Sequence, residues 1–150
     1  MLVRRGTPED TEAIAELVER ADRPRFHRSE AEWERVRERV REILASAGTV
    51  TFVAEQDGEL VGELLAVERS ADVAGIGVSV AEGSRRQGVA TALFAAVAEW
   101  AREAGFRELQ LDVQEVNKSA RALYEKLGFA DTGRRREGER GPVLTLAKPL

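Results

Sequence analysis

"DVAGIGVSVAEGSRRQGVATALFAAVAEWAREAGFRELQLDV", residues 72–113, is the stretch whose reading decides the fold. Residues 72–80 are apolar over a strand's length, and Gly75 and Gly77 within them point to a bulge or to close approach by another backbone or a ligand. Val89, Leu93, Ala96, Val97 and Trp100 then recur at helical spacing. "EAGF" closes that helix, with Gly105 suited to a left-handed cap and Phe106 folded back behind it. The strand "ELQLDV" follows. Strand, helix and strand in this order form a crossover unit, which places the two strands parallel in one sheet. Ligands of α/β sheets gather at such strand ends.

The mouth of the helix carries "GSRRQGVATAL", residues 83–93. A helix that opens just after a strand exposes unpaired backbone N–H groups and the positive end of its dipole, a ready seat for phosphate. Gly88 lets an anion come close to the main chain, and Arg85 and Arg86 add side chains whose geometry suits phosphate oxygens. A tight turn relieved by Gly88, with both arginines facing water, accounts for the same residues equally well. The chain has neither GxxxxGK[ST] nor a GxGxxG after a strand, so a P-loop is excluded and a dinucleotide fold is disfavoured.

Working upstream, "TVTFVAE" and "ELVGELLAVE" alternate with period 2 and are joined at Asp57-Gly58, a tight hairpin pair. Before them, Ser29 followed by Glu32 is a capping box for a helix whose Trp33, Val36, Val40, Ile43 and Leu44 share a face. "TPED" starts an earlier helix, with Thr7 as its capping hydroxyl, Pro8 in the first turn and Ile14, Leu17, Val18 and Ala21 along one side. Leu2 and Val3 begin a short strand. Downstream, "NKSARALYEKLGF" is a helix capped by Asn117, with Ala120, Leu123, Tyr124 and Leu127 aligned and a stop at Gly128. Two strands, near residues 129–136 and 143–148, finish the chain around the polar turn "GRRREGERG".

The order is therefore β-α-α-β-β-β-α-β-α-β-β, an α/β mixed sheet, and 150 residues without a linker or repeat predict one domain over residues 1–150. A net charge of −4 disfavours nucleic acid, as do the glutamates interleaved in "GRRREGERG". Cysteine is absent and His27 is the single histidine, so no thiolate chemistry and no metal site is expected. No apolar run approaches the ~18 residues of a membrane span, and the N-terminus lacks a signal peptide's apolar region, so the expected location is cytoplasmic.

Arg85-x-x-Gly88-x-Ala90 resembles the [RQ]-x-x-G-x-[GA] pyrophosphate motif of the GNAT acetyltransferase superfamily. "NKSARALYEKLGF" is similar to that family's N-x-x-A-x-x-L-Y-x-x-x-G-F helix, matching at Asn117, Ala120, Leu123, Tyr124, Gly128 and Phe129. The element order over the whole chain is also the family's. The resemblance implies the family fold, with two parallel central strands splayed around an acyl-CoA, and acetyl-CoA as the usual donor. It implies pantetheine along "GVSV", with Val78 and Val80, and pyrophosphate on the N–H groups of Arg86, Gln87, Gly88, Val89, Ala90 and Thr91, beside Arg85. Asn117 would cap its helix and also touch the cofactor.

Tyr124 matches the family's tyrosine that gives a proton to the departing thiolate; the same residue also lies on an apolar helix stripe and suits a core position. Asp112 stands where some members carry a glutamate base, with Glu63 and Glu68 as rivals and a solvated carboxylate as the plain alternative for all three. A base matters most for a lysine-type ammonium, of pKa ~10.4. The activity implied is N-acetyl transfer to a primary amine of a small molecule, protein or peptide by direct attack in a ternary complex. A non-catalytic acyl-CoA sensor on the same fold is the second reading. The family's acceptor cleft is bordered by the loop carrying Arg23, Arg25, His27 and Arg28 and by the hairpin carrying Arg134 to Arg136 and Arg140; these charges either receive a carboxylate or face water. Homodimers are common in such families.

Overall fold

Asp57 and Gly58 turn the chain with φ of 53° and 79°, the paired positive values that match a two-residue hairpin to the twist of its strands. The computed structural model describes residues 1–150. In chain order it contains β1 (Leu2–Arg5), α1 (Thr11–Asp22), α2 (Glu30–Ala45), β2 (Thr49–Gln56), β3 (Glu59–Glu68), β4 (Val73–Val80), α3 (Val89–Glu103), β5 (Glu108–Gln114), α4 (Lys118–Lys126), β6 (Ala130–Gly138) and β7 (Gly141–Pro149). The seven strands follow the order β1-β2-β3-β4-β5-β7-β6. β4 and β5 run parallel, as the crossover requires, and their ladder joins only Val73 to Glu108, Ala74 to Leu109 and Gly75 to Gln110. The chain forms two compact units, Met1–Val67 with Val78–Val97 and Glu68–Gly77 with Ala98–Leu150.

In the first unit, β1, β2 and β3 pair antiparallel, and Ile14, Ala15, Leu17 and Ala21 of α1 join Phe52, Val53, Ala54, Leu64 and Ala66 in the core. Thr7 stands at the N-cap with Pro8 behind it, as expected, although the first turn, Pro8–Asp10, is 3₁₀; in the capping box the Asp10 carboxylate accepts from the Thr7 N–H at 2.7 Å, and the Thr7 hydroxyl lies 3.3 Å from the same carboxylate. Arg4 clasps the same carboxylate at 2.8 and 2.9 Å, and this hydrogen bonding holds Asp10 down at about 2. Ser29 caps α2 as read, with the Glu32 N–H donating to its hydroxyl at 3.2 Å and the Ser29 N–H donating back to Glu32 at 3.1 Å. Along α2 only Trp33 is fully buried, whereas Val36, Val40, Ile43 and Leu44 are half-buried.

Gly62 is tight. A Cβ built there would lie 2.6 Å from Val89 Cγ1 and 3.1 Å from Leu93 Cδ1, two side chains with no room to retreat in the core. Gly62→Ala is therefore expected to cost about 1–3 kcal/mol of stability, read from urea unfolding. A change within 0.5 kcal/mol would mean that α3 shifts freely there.

In the second unit, Leu109, Leu111 and Val113 of β5 face the core with Leu144 and Leu146 of β7. The two glycine caps behave as the sequence predicts. Gly105 has φ +92° and the Phe106 N–H bonds to Ala101 O at 2.9 Å, while Gly128 has φ +96° and the Phe129 N–H bonds to Tyr124 O at 3.0 Å. Gly75 is closely approached, but by a side chain of this chain and not by the backbone or ligand expected: Arg69 crosses the strand where a Cβ would sit. Gly77 has open space instead.

Candidate functional site

The first unit contributes the segment that follows β4. Glu82–Ser84 makes a 3₁₀ turn, after which Arg86 (φ 63°) and Gly88 (φ +79°) both take left-handed backbone. Helical structure starts at Val89, so the expected run of helix N–H groups begins there and Arg86 to Gly88 precede it in a turn. Ala92 is the first residue whose N–H bonds back into that turn, to Gly88 O at 3.0 Å. Nothing lies within 4 Å of the position a Gly88 Cβ would take, and Arg85, Arg86, Gln87 and Gly88 are exposed. An open helix mouth with two guanidinium groups and close main-chain access fits a pyrophosphate. Val78 and Val80 are half-buried on β4.

β3 brings one further group. Glu63 is the buried charged residue of the molecule, 4% exposed. Its neighbours Gly62 and Leu64 belong to the other strand face, since Gly62 abuts α3, so alternation turns Glu63 away from that helix. Burial pushes its carboxyl up to about 8; a bond from Ser79 opposes the shift and the charge of Asp22 adds to it. Asp22, at the end of α1, is likewise raised by burial, against the pull of Arg25 and Arg28.

A carboxyl held above its unfolded value binds its proton more tightly in the native state, so it stabilises at low pH and loses that contribution as pH rises from ~4.5 toward 8. Glu63→Gln is expected to flatten this part of the stability curve, measured by urea unfolding at pH 5 and pH 9. A wild-type curve with no such fall would show that Glu63 ionises as freely folded as unfolded.

The second unit contributes Asn117, Tyr124 and Asp112. Asn117 caps α4, its side-chain oxygen accepting the Ala120 N–H at 3.3 Å. Tyr124 is half-buried and packs edge-on to Phe129, ring centroids 6.1 Å apart, as the glycine stop dictates. Ala120, Leu123 and Leu127 share its face and are half-buried too. The opposite face of α4, through Lys118, Arg121, Ala122 and Glu125, lines a cavity of about 470 Å³ floored by Phe129, Leu144 and Leu146, and none of the predicted site residues borders it. The Asp112 carboxylate accepts from Thr145 Oγ1 at 3.0 Å and lies 3.5 Å from Arg69 and 3.9 Å from Arg136.

Most of the arginines expected at an acceptor cleft are engaged. Arg23 bonds Glu19 and Glu30 and stacks 5.1 Å over the Trp33 ring, which Arg28 also covers at 5.0 Å. Arg25 pairs with Asp22 at 3.8 Å, Arg135 grips Asp131 in bidentate fashion, and Arg136 reaches Asp112. Sequence reasoning underrated Glu63, although the signal was there: it is the one acid in the file Val61, Glu63, Leu65, Val67.

Against known proteins, the model of the Acetyltransferase (GNAT) family matches residues 12–129. An aminoglycoside N(6')-acetyltransferase type 1 of Serratia marcescens is 39% identical over 121 residues, covering 74% of this chain and 77% of that protein. N-acetyltransferase 8B of Homo sapiens is 34% identical over 96 residues, 60% of this chain, which spans only 42% of that protein. In fold, an aminoglycoside 6'-N-acetyltransferase complexed with coenzyme A superposes with a TM-score of 0.81 at 15% identity, covering 99% of this chain and 97% of that one. The ribosomal-protein-S18-alanine N-acetyltransferase of Escherichia coli follows at 0.77 and 23% identity, covering 99% and 92%. With a family model spanning most of its length and the Serratia marcescens relative at 39% identity, the chain belongs to the acetyltransferase (GNAT) family and is an acyltransferase.

Proposed function

We infer that this acyltransferase moves an acetyl group from acetyl-CoA to a primary amine, by direct attack of the amine in a ternary complex. The observation that carries the reading is the open left-handed turn at Arg86 and Gly88 on the mouth of α3, an anion seat with nothing over Gly88. Arg85 and Arg86 grip the pyrophosphate with the N–H groups of residues 87–91, Val78 and Val80 offer backbone to the pantetheine arm, and Asn117 adds a cofactor contact beside its capping role. Acetyl-CoA supplies the activated thioester. Tyr124 gives its hydroxyl proton to the thiolate as it leaves.

Asp112 is the carboxylate that the family resemblance offers as base, with Glu63 as its rival, and its contacts with Thr145, Arg69 and Arg136 hold it in one orientation on β5. With no cysteine in the chain, a cysteinyl acyl-enzyme has no nucleophile. We assign residues 1–150 to one catalytic domain. Aminoglycoside amines are the first acceptors to try, given the Serratia relative.

Thiol release from acetyl-CoA across aminoglycosides, polyamines, amino acids and N-terminal peptides tests the activity. Stabilisation by acetyl-CoA with no release on any amine would move the chain to the sensor reading. Gly88→Val is expected to weaken CoA binding about tenfold by calorimetry, because a β-branched residue at φ +79° is strained by ~1–2 kcal/mol and its side chain shades the N–H groups. Unchanged affinity would detach the turn from the cofactor.

A further inference from the structure

We propose that Glu63 and Ser79 form a proton relay for the acceptor amine, Ser79 meeting the amine and Glu63 receiving the proton through it. The inference rests on the acetyl-transfer reading above and names groups on β3 and β4 that the family motifs leave out. The geometry comes from strand register. The Ala81 N–H donates to Val61 O at 2.8 Å, and two residues further in along each strand Glu63 stands opposite Ser79. The Ser79 hydroxyl donates to the Glu63 carboxyl, which leaves the lone pairs of Ser79 available to a second donor. Both side chains lie on the strand face turned away from α3, and Ser79 sits between Val78 and Val80, the residues assigned to the pantetheine arm.

A buried acid in an apolar file is a costly feature that the fold itself does not need, because Val61, Leu65 and Val67 fill the same file with apolar groups. The chemistry suits it. When an ammonium N–H proton passes to Ser79 Oγ, the Ser79 proton passes to the ionised Glu63 carboxylate, and the products are a neutral amine and a neutral carboxylic acid. No other reactant is needed.

Burial tunes the acceptor of that proton. Moving a proton from a lysine-type ammonium to an ordinary glutamate is uphill by about 10⁶ in equilibrium constant, whereas a carboxyl raised to about 8 reduces this to roughly 10²–10³. The charged groups facing Glu63 are few. Asp22 from α1 disfavours its ionisation, and Arg25 and Arg28 act on it through Asp22. β2 contributes Val53 opposite and β4 contributes Ser79.

The test is kcat and kcat/KM against pH 6–10 for the wild type, Glu63→Gln and Ser79→Ala with one active amine. The wild type is expected to gain rate through a midpoint near 8. Glu63→Gln should lose that limb and at least tenfold in kcat near pH 8, with KM for acetyl-CoA and thermal stabilisation by it unchanged. Ser79→Ala should do the same, and because it deletes one hydroxyl from a half-buried site it decides the matter if Glu63→Gln does not fold. Variants that keep the wild-type profile and rate within twofold overturn the relay alone. Absence of thiol release by the wild type with every amine overturns the acetyl-transfer reading and the relay together.

Discussion

Tyr124→Phe is expected to slow acetyl transfer by roughly 10- to 1,000-fold and to leave the fold intact. The ring is placed by local geometry. The Gly128 cap returns the chain so that Phe129 meets Tyr124 edge-on, and phenylalanine preserves that contact and the half-buried packing of the α4 stripe. The substitution removes the hydroxyl and its proton and keeps the ring. The bound on the effect comes from the leaving group, since a thiol of pKa ~8.5 departs tolerably as its thiolate and a phenol is a weak acid toward it. The signature is a fall in kcat with KM for acetyl-CoA unchanged, because the proton is needed as the thiolate departs. A loss below twofold in a folded variant would make Tyr124 a packing residue of α4. Substitution at Phe129 provides the contrast: Phe129 is 5% exposed, so Phe129→Ala should cost stability first.

Trp33→Ala is expected to destabilise the protein by about 3–5 kcal/mol, a large share of the 5–15 kcal/mol typical of a domain. Trp33 is 1% exposed and is the one fully buried side chain of α2, where Val36, Val40, Ile43 and Leu44 are half-covered, so this ring anchors the helix. Arg23 and Arg28 both stack on it, at 5.1 and 5.0 Å, and Arg28 also covers Phe26 at 4.4 Å. Removing the indole therefore frees the segment between α1 and α2 as well as opening a cavity. Denaturant midpoints measure the first effect. The second should appear as a raised KM for the acceptor with CoA affinity retained, because the cofactor residues proposed above lie elsewhere in the chain, from Val78 to Asn117. A loss under 1 kcal/mol would mean that α2 collapses onto the gap.

What could be read from the sequence tracks the distance over which each interaction acts. Ser29 with Glu32, Asp57 with Gly58, Gly105 with Phe106 and Gly128 with Phe129 are decided within a few residues by φ preference and local hydrogen bonds, and all four appear as read. Thr7 is also the N-cap it was read as; what local spacing does not report there is that Arg4 claims the Asp10 carboxylate as well and that the first turn is 3₁₀. The arginines read as waiting for a substrate carboxylate or facing water are mostly bound to Glu19, Glu30, Asp22 and Asp131, close by in the chain, and to Asp112 on β5; spacing permits such pairs, but only the packed structure chooses them over water or a ligand.

By itself the sequence determined the order of elements, the parallel crossover pair, the caps and the two motifs that point to a CoA thioester, since each depends on spacing along one chain. Tertiary structure decided what fills the space at Gly75, how Asp112 is held, and that Glu63 alone among the acids is buried. A carboxylate looks the same in any sequence. Its proton affinity is set by the water and charges that the packed strands and α1 leave around it.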